Sequence, residues 1–166
     1  MRDTTTDSVT PRIPDLATFY DPRLSGDTSH GPEPSVSVDY SCFAGAGAFL
    51  STPSDLVRFG MAVNSGNLLK PATVRLLQAP QQLLSGDTTD YGLGWMLETF
   101  PVASEPTRVA GHASRTTLGS STSFMTLPER EIVVAVMSNT SDASLRSISL
   151  GLSQIFAARQ NSPAGK

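Results

Sequence analysis

Serine is abundant in this 166-residue chain. A serine hydroxyl becomes a nucleophile only when a base placed beside it takes the proton, so spacing is what matters. The elbow G-x-S-x-G does not occur. The pairing S-x-x-K requires a serine three residues before a lysine; the two lysines, Lys70 and Lys166, are preceded there by Asn67 and Pro163. Y-x-N fails as well, because Tyr20, Tyr40 and Tyr91 are followed two residues later by Pro22, Cys42 and Leu93. S-x-N occurs at Ser65-Gly66-Asn67, a tripeptide that also suits a helix C-terminus. Two histidines, His30 and His112, and one cysteine, Cys42, are too few for a Cys/His zinc site, so no metal is expected. Gly45-Ala46-Gly47 and Gly92-Leu93-Gly94 both place leucine where the last glycine of a phosphate-cradling loop would stand, so no nucleotide cofactor is expected.

Composition narrows the classes further. AVILMFWYC residues make 39% of the chain, enough for a folded core and against a wholly disordered chain. Net charge is −3 and the cations are scattered singly, which argues against a nucleic-acid partner. No apolar run reaches the ~20 residues of a membrane span, and MRDTTTDSVT does not read as a secretory signal. Compartment is not legible. Cys42 is read as buried.

Any site must be held by the elements around it. Residues 1–40 carry 5 of the 12 prolines and 7 acids against 3 bases, and read as an extended acidic arm or wrapping segment. A domain over 41–160 and a frayed tail over 161–166 complete the organisation. Ser51 or Thr52 caps a helix with Pro53 at its first position and Asp55 at its positive end. Leu56, Phe59 and Val63 form its buried stripe, and Asn64-Ser65-Gly66 ends it. A second helix runs from Pro71 to about Gln78, with Pro80 beyond. Strands are expected at Tyr91–Leu97, bounded by Pro101, at Thr107–His112 and at Ser121–Leu127, followed by a turn at Pro128-Glu129-Arg130. Ile132–Met137 reads as a strand buried on both faces. A last helix near 142–160, capped by Ser141 or Asp142, presents Leu145, Ile148, Leu152, Ile155 and Phe156 on one face. Asn139-Thr140-Ser141 is a glycosylation sequon, but it falls where that strand ends and that helix is capped. The order gives an α+β fold, an antiparallel β-sheet flanked by helices.

Several phrases, taken in order, resemble serine β-lactamase-like proteins, which include class C β-lactamases, D-alanyl-D-alanine carboxypeptidases and related esterases. Ala44-Gly45-Ala46-Gly47-Ala48-Phe49-Leu50-Ser51-Thr52-Pro53-Ser54-Asp55-Leu56-Val57-Arg58-Phe59 resembles that family's "AGGL-STA-DLARF". Asn67-Leu68-Leu69 with Pro71-Ala72-Thr73 is similar to "G-L-L-sPeT", Tyr91–Trp95 to "YGLGW", and Gly111-His112 to the start of "GHTGG". Leu127-Pro128-Glu129 and the run to Ser138-Asn139 resemble "LPE…vvvlsN", and Met1-Arg2-Asp3-Thr4 resembles "GM-DT".

The resemblance implies the sheet-containing half of the β-lactamase/transpeptidase-like fold. It places the family's S-x-x-K and Y-x-N before residue 1, so the chain is expected to be a C-terminal half without hydrolysis of its own. The family's K-T-G or H-T-G maps to His112-Ala113-Ser114. His112 then orients a substrate carboxylate or shares in proton traffic, and the backbone N–H of Arg115 is one half of an oxyanion hole. Ala113 removes a hydroxyl and Ser114 adds a side chain where the family keeps threonine and glycine, which favours an esterase-like or degenerate member. Implied partners are a small acyl, ester or β-lactam-like ligand for the complete site, and either an N-terminal half or a second copy on the bare edge of 132–138. Two other readings remain open: a non-catalytic binding or regulatory module, and a partner-dependent half of a reconstituted esterase.

Overall fold

In a computed structural model of the chain, residues 1–6, 13, 15–24, 27–36, 38, 40–43, 45–115, 119–141 and 143–161 are described. Ala44 and Asp142, named above, Asp7, Pro11, Pro14 and Asp39 among the acids and prolines counted in residues 1–40, and residues 162–166 lie outside the described residues. In chain order the strands are β1 (Thr5–Thr6), β2 (Tyr20–Leu24), β3 (Asp27–Pro34), β4 (Phe49–Leu50), β5 (Met96–Val102), β6 (Glu105–Arg115), β7 (Ser121–Leu127) and β8 (Ile132–Ser138). The helices are α1 (Pro53–Asn64), α2 (Pro71–Leu77) and α3 (Leu145–Asn161).

Local signals place α1. Thr52 is extended and its hydroxyl accepts the Asp55 N–H, Pro53 opens the helix, and Ser65 closes it before Gly66 at φ 76°. The Asp55 carboxylate, fully buried, accepts the backbone N–H of Arg2 and of Asp3 (both 2.8 Å), the Thr4 hydroxyl (3.0 Å) and the Arg58 guanidinium (2.8 Å). Burial pushes this carboxyl up; those four donors outweigh it and leave its pKa at about 2. One acidic side chain thus pins the first residues of the chain to the start of α1.

The main sheet is antiparallel with order β5-β6-β7-β8. On one face Val63 of α1 packs with Trp95, Leu97, Ala110 and Phe124, and Val133 and Ala135 lie against them. On the other, Ala157 of α3 packs with Val102, Val109, Met125, Leu127, Ile132 and Val134. Successive residues of β8 therefore meet different helices, which explains its unbroken apolar run.

Four expectations are corrected. The strand read at Tyr91–Leu97 starts at Met96, and Pro101 lies inside it. Proline is tolerated there because β5 is an outer strand. The strand read at Thr107–His112 extends over Glu105–Arg115. It leaves β5 through Ala103 and Ser104, both at positive φ (51° and 68°), a two-residue turn without the usual glycine or asparagine. Gln154 of α3 holds that turn, accepting the Ala103 N–H (3.0 Å) and donating to the Pro101 carbonyl (2.7 Å).

The third correction concerns α3. It begins at Leu145, so Ser141 is not its cap, and its sheet-facing stripe is Leu145, Ser149, Ser153 and Ala157. Ile148, Ile155 and Phe156 stay about half exposed. The small side chains let the helix lie close to the sheet, and their hydroxyls are satisfied there: Ser149 donates to Ser123 (2.8 Å) and Ser153 to the Ser149 carbonyl (2.9 Å). Lastly, Cys42 is exposed in a short 3-10 turn at Ser41–Phe43.

Within residues 1–40, β2 and β3 form a hairpin; a two-stranded ribbon has only edges, so it accepts Pro22, Pro32 and Pro34. Its anchors are the Tyr20 N–H on the Asn139 carbonyl (2.9 Å), the Asn139 amide on the Thr18 carbonyl (2.9 Å) and the Gly119 N–H on Asp21 (2.9 Å). This hairpin therefore reaches the sheet at the end where β7 begins and β8 finishes.

Candidate functional site

β6 carries His112, Ala113, Ser114 and Arg115, and it outruns its neighbour. Met96, the first residue of β5, pairs with Gly111, whereas β7 continues opposite 112–115, from His112↔Phe124 to Arg115↔Ser121. Residues 112–115 thus present one edge to β7, while β5 stops short of the other. Strand alternation sends His112 and Ser114 to one face and Ala113 to the other. His112 and Ala113 are exposed and Ser114 is half-buried; the side chain of Arg115 lies outside the described residues.

Gly111 is required by packing. A Cβ there would run into the Phe124 carbonyl oxygen and sit 3.0 Å from Met125 Cα, both backbone atoms of β7. The glycine before His112 lets the two strands close at this point.

Sequence reasoning missed the neighbour of His112. The Tyr91 hydroxyl lies 3.0 Å from Nε2 of His112, with the rings edge to face, centroids 6.1 Å apart and planes at 83°. Tyr91 is held from behind. Its carbonyl accepts the Gln81 N–H (2.9 Å) and the Thr89 hydroxyl (3.0 Å). The following turn is locked by Gly92 N–H on the Trp95 carbonyl (2.7 Å) and Leu93 N–H on the Leu77 carbonyl (2.8 Å). A Cβ at Gly92 would collide with that Leu77 carbonyl, and Gly94 takes φ 80°. Trp95 then inserts beside Phe124, ring centroids 5.9 Å apart. The Tyr-Gly-Leu-Gly-Trp phrase is therefore a rigid turn, anchored by tryptophan, that carries tyrosine to histidine. The signal available in the sequence was the phrase itself; the 21-residue gap to His112 hid its target.

A small cavity of about 40 Å³ adjoins the site: His112 and Ala113 line it together with Ser123, Met125 and Arg146. Arg146 pairs there with Glu98 (2.5 Å) and stacks over Phe100 (4.6 Å). A concavity of about 380 Å³ runs along the outer side of β8 between α1 and α3, lined by Val57, Met61, Ile132, Val133, Phe156 and Arg159. It contains none of the residues of the His112 site. Among the described residues no group of three His, Cys, Asp or Glu could hold a metal ion, and no helix is long and apolar enough to cross a membrane.

The geometry has relatives. A D-stereospecific amidohydrolase from Streptomyces sp. superposes with TM-score 0.67 at 21% identity, over 92% of this chain and 43% of that one. The D-amino acid amidase of Ochrobactrum anthropi SV3, complexed with L-phenylalanine amide, superposes with TM-score 0.72 at 21% identity, over 99% and 48%. Penicillin-binding protein 4* of Bacillus subtilis (strain 168) is 35% identical over 69 residues, 42% of this chain and 15% of that protein. The fold is thus the α+β architecture of β-lactamase- and penicillin-binding-like hydrolases. The Beta-lactamase family model matches residues 1–149, and the chain belongs to that family of serine hydrolases. It spans less than half the length of each of these relatives.

Proposed function

We propose that this chain forms one wall of the active-site cleft of a β-lactamase-like serine hydrolase, and that the S-x-x-K and Y-x-N groups come from a segment outside it. The observation that carries this reading is the superposition of 99% of the chain on 48% of an amidase at TM-score 0.72. The roles follow from position. His112 faces the cleft and orients an anionic group of the substrate or relays a proton. The Arg115 backbone N–H, on the part of β6 beyond β5, supplies one oxyanion donor. Ala113 and Ser114 line the strand along which the substrate lies. With alanine and serine at these positions, the substrate class is a small acyl ester or amide rather than a β-lactam. That segment pairs with the outer edge of β8, which among the described residues has no strand beside it and adjoins the concavity beside Met61 and Phe156.

Hydrolysis of p-nitrophenyl butyrate and nitrocefin by the purified chain, with labelling by a fluorophosphonate probe, tests the reading. The expected result is neither turnover nor a labelled serine. Turnover with a labelled serine in this chain would overturn it. The substitution of Ala113-Ser114 for the usual threonine and glycine favours a second reading, a module that binds ligand without turnover. Saturable binding of a small acyl ester, unchanged when an S-x-x-K segment is supplied and still without hydrolysis, identifies that case.

A further inference from the structure

We propose that Tyr91 is the positioning residue of His112: its hydroxyl donates to Nε2, holds the imidazole upright against the end of β6, and fixes the neutral ring as the Nδ1–H tautomer. The proposal deepens the function given above, since it concerns the residue assigned there to the cleft wall.

Three observations carry it. The hydroxyl-to-Nε2 distance of 3.0 Å is that of a hydrogen bond, and the two rings meet edge to face. The backbone of Tyr91 is tied on both sides, by the Leu97 N–H on the Asp90 carbonyl (2.9 Å) before it and by Gln81 and Thr89 at its own carbonyl and the locked Gly92–Trp95 turn after it, which sets where the phenol starts. Trp95, buried against Phe124, fastens the same turn to the strand residue that pairs with His112. The donor direction follows from chemistry. A phenol is a better donor than acceptor, and an imidazole nitrogen a better acceptor than a phenol oxygen. The hydrogen bond made by one ring nitrogen decides which nitrogen keeps the proton. With Nε2 occupied by Tyr91, Nδ1–H is the group left to donate to a bound anion or carbonyl. Tyr91 therefore acts through His112 and touches no reacting atom.

The test is long-range 1H–15N correlation of the histidine rings in the full chain, at a pH where both are neutral. The wild type is expected to show His112 mainly as the Nδ1–H tautomer. Tyr91→Phe keeps the ring contact and removes only the hydroxyl. It is expected to shift the ratio toward Nε2–H about fivefold, the equivalent of one hydrogen bond of ~1 kcal/mol. His30, on β3, is the internal reference and stays unchanged. An Nε2–H ring in the wild type, or the same ratio in both proteins, overturns the proposal. The wild-type spectrum decides the donor direction even if the variant folds poorly. No turnover is needed, so the outcome is independent of the hydrolysis assays. A complemented chain that hydrolyses ester, with the same tautomer ratio in both proteins, keeps the functional reading and discards this one.

Discussion

Replacing glycine by alanine at two positions should change stability in opposite directions, for reasons visible in the packing. At Gly111 the added Cβ meets the Phe124 carbonyl and lies 3.0 Å from Met125 Cα. Neither is a side-chain end that can swing away, because Ala110↔Thr126 and His112↔Phe124 hold β6 and β7 in register on both sides. Relief requires the strands to part by about 1 Å from a spacing of ~4.8 Å. That weakens adjacent ladder bonds worth ~1 kcal/mol each and adds an overpacking cost of ~1–3 kcal/mol. The expected loss is therefore ~3 kcal/mol or more. Gly151, exposed in the middle of α3, has nothing within 4 Å of the corresponding position. Alanine there gains ~0.5–1 kcal/mol from helix propensity and lower chain entropy. In a chain of this length 1 kcal/mol moves Tm by about 2–4 °C, so the two variants should differ by ~10 °C. Urea titration followed by Trp95 fluorescence gives the free energies, and amide shifts at residues 110–114 report whether the strand has moved. A Gly111→Ala protein within ~0.5 kcal/mol of wild type would refute the claim that this glycine sets the approach of β6 to β7.

Two further outcomes follow from the buried polar groups. The Asp55 pKa is depressed to about 2 from 3.8, so its stabilising contribution is fully present above about 3.8 and is lost as pH falls through about 2. Asp55→Asn should lower stability at neutral pH and flatten the acid limb between those values, measured as denaturation midpoints against pH. An unchanged limb would show that Asp55 does not couple folding to protons. Ser123→Ala and Ser149→Ala should each cost ~1–2 kcal/mol, since each strands the other buried hydroxyl. The double variant should cost less than the sum by ~1 kcal/mol in a denaturation cycle, and additive costs would deny the pair.

Where signals are local, the sequence is a good guide. α1 is fixed by Thr52, Pro53 and Asp55 at one end and Ser65-Gly66 at the other, groups that satisfy helix termini within a few residues. β7 has the predicted bounds, Ser121–Leu127, because a proline turn follows it. His112 was reachable through the ordered phrases around it. Tyr91 was not, because its partner lies 21 residues away and two exposed polar side chains leave no periodic trace. Asp55 was read as a dipole group, although its main partners are the backbone of Arg2 and Asp3, more than fifty residues distant.

Residue types and spacing by themselves determined the α+β class, the start and end of α1 and the apolar run of β8, while the family came from the resemblance of ordered phrases. Tertiary structure decided which face of α3 is inside. An apolar stripe was available in Ile148, Ile155 and Phe156, yet Ser149, Ser153 and Ala157 face the sheet. Small residues allow close approach of helix to strand, and Ser123 supplies the hydrogen bond that offsets burying a hydroxyl. It also decided the β5–β6 turn, where Gln154 of α3 holds Ala103 and Ser104 in dihedrals they seldom adopt alone. Such choices depend on partners brought together from distant parts of the chain, and no local pattern encodes a partner.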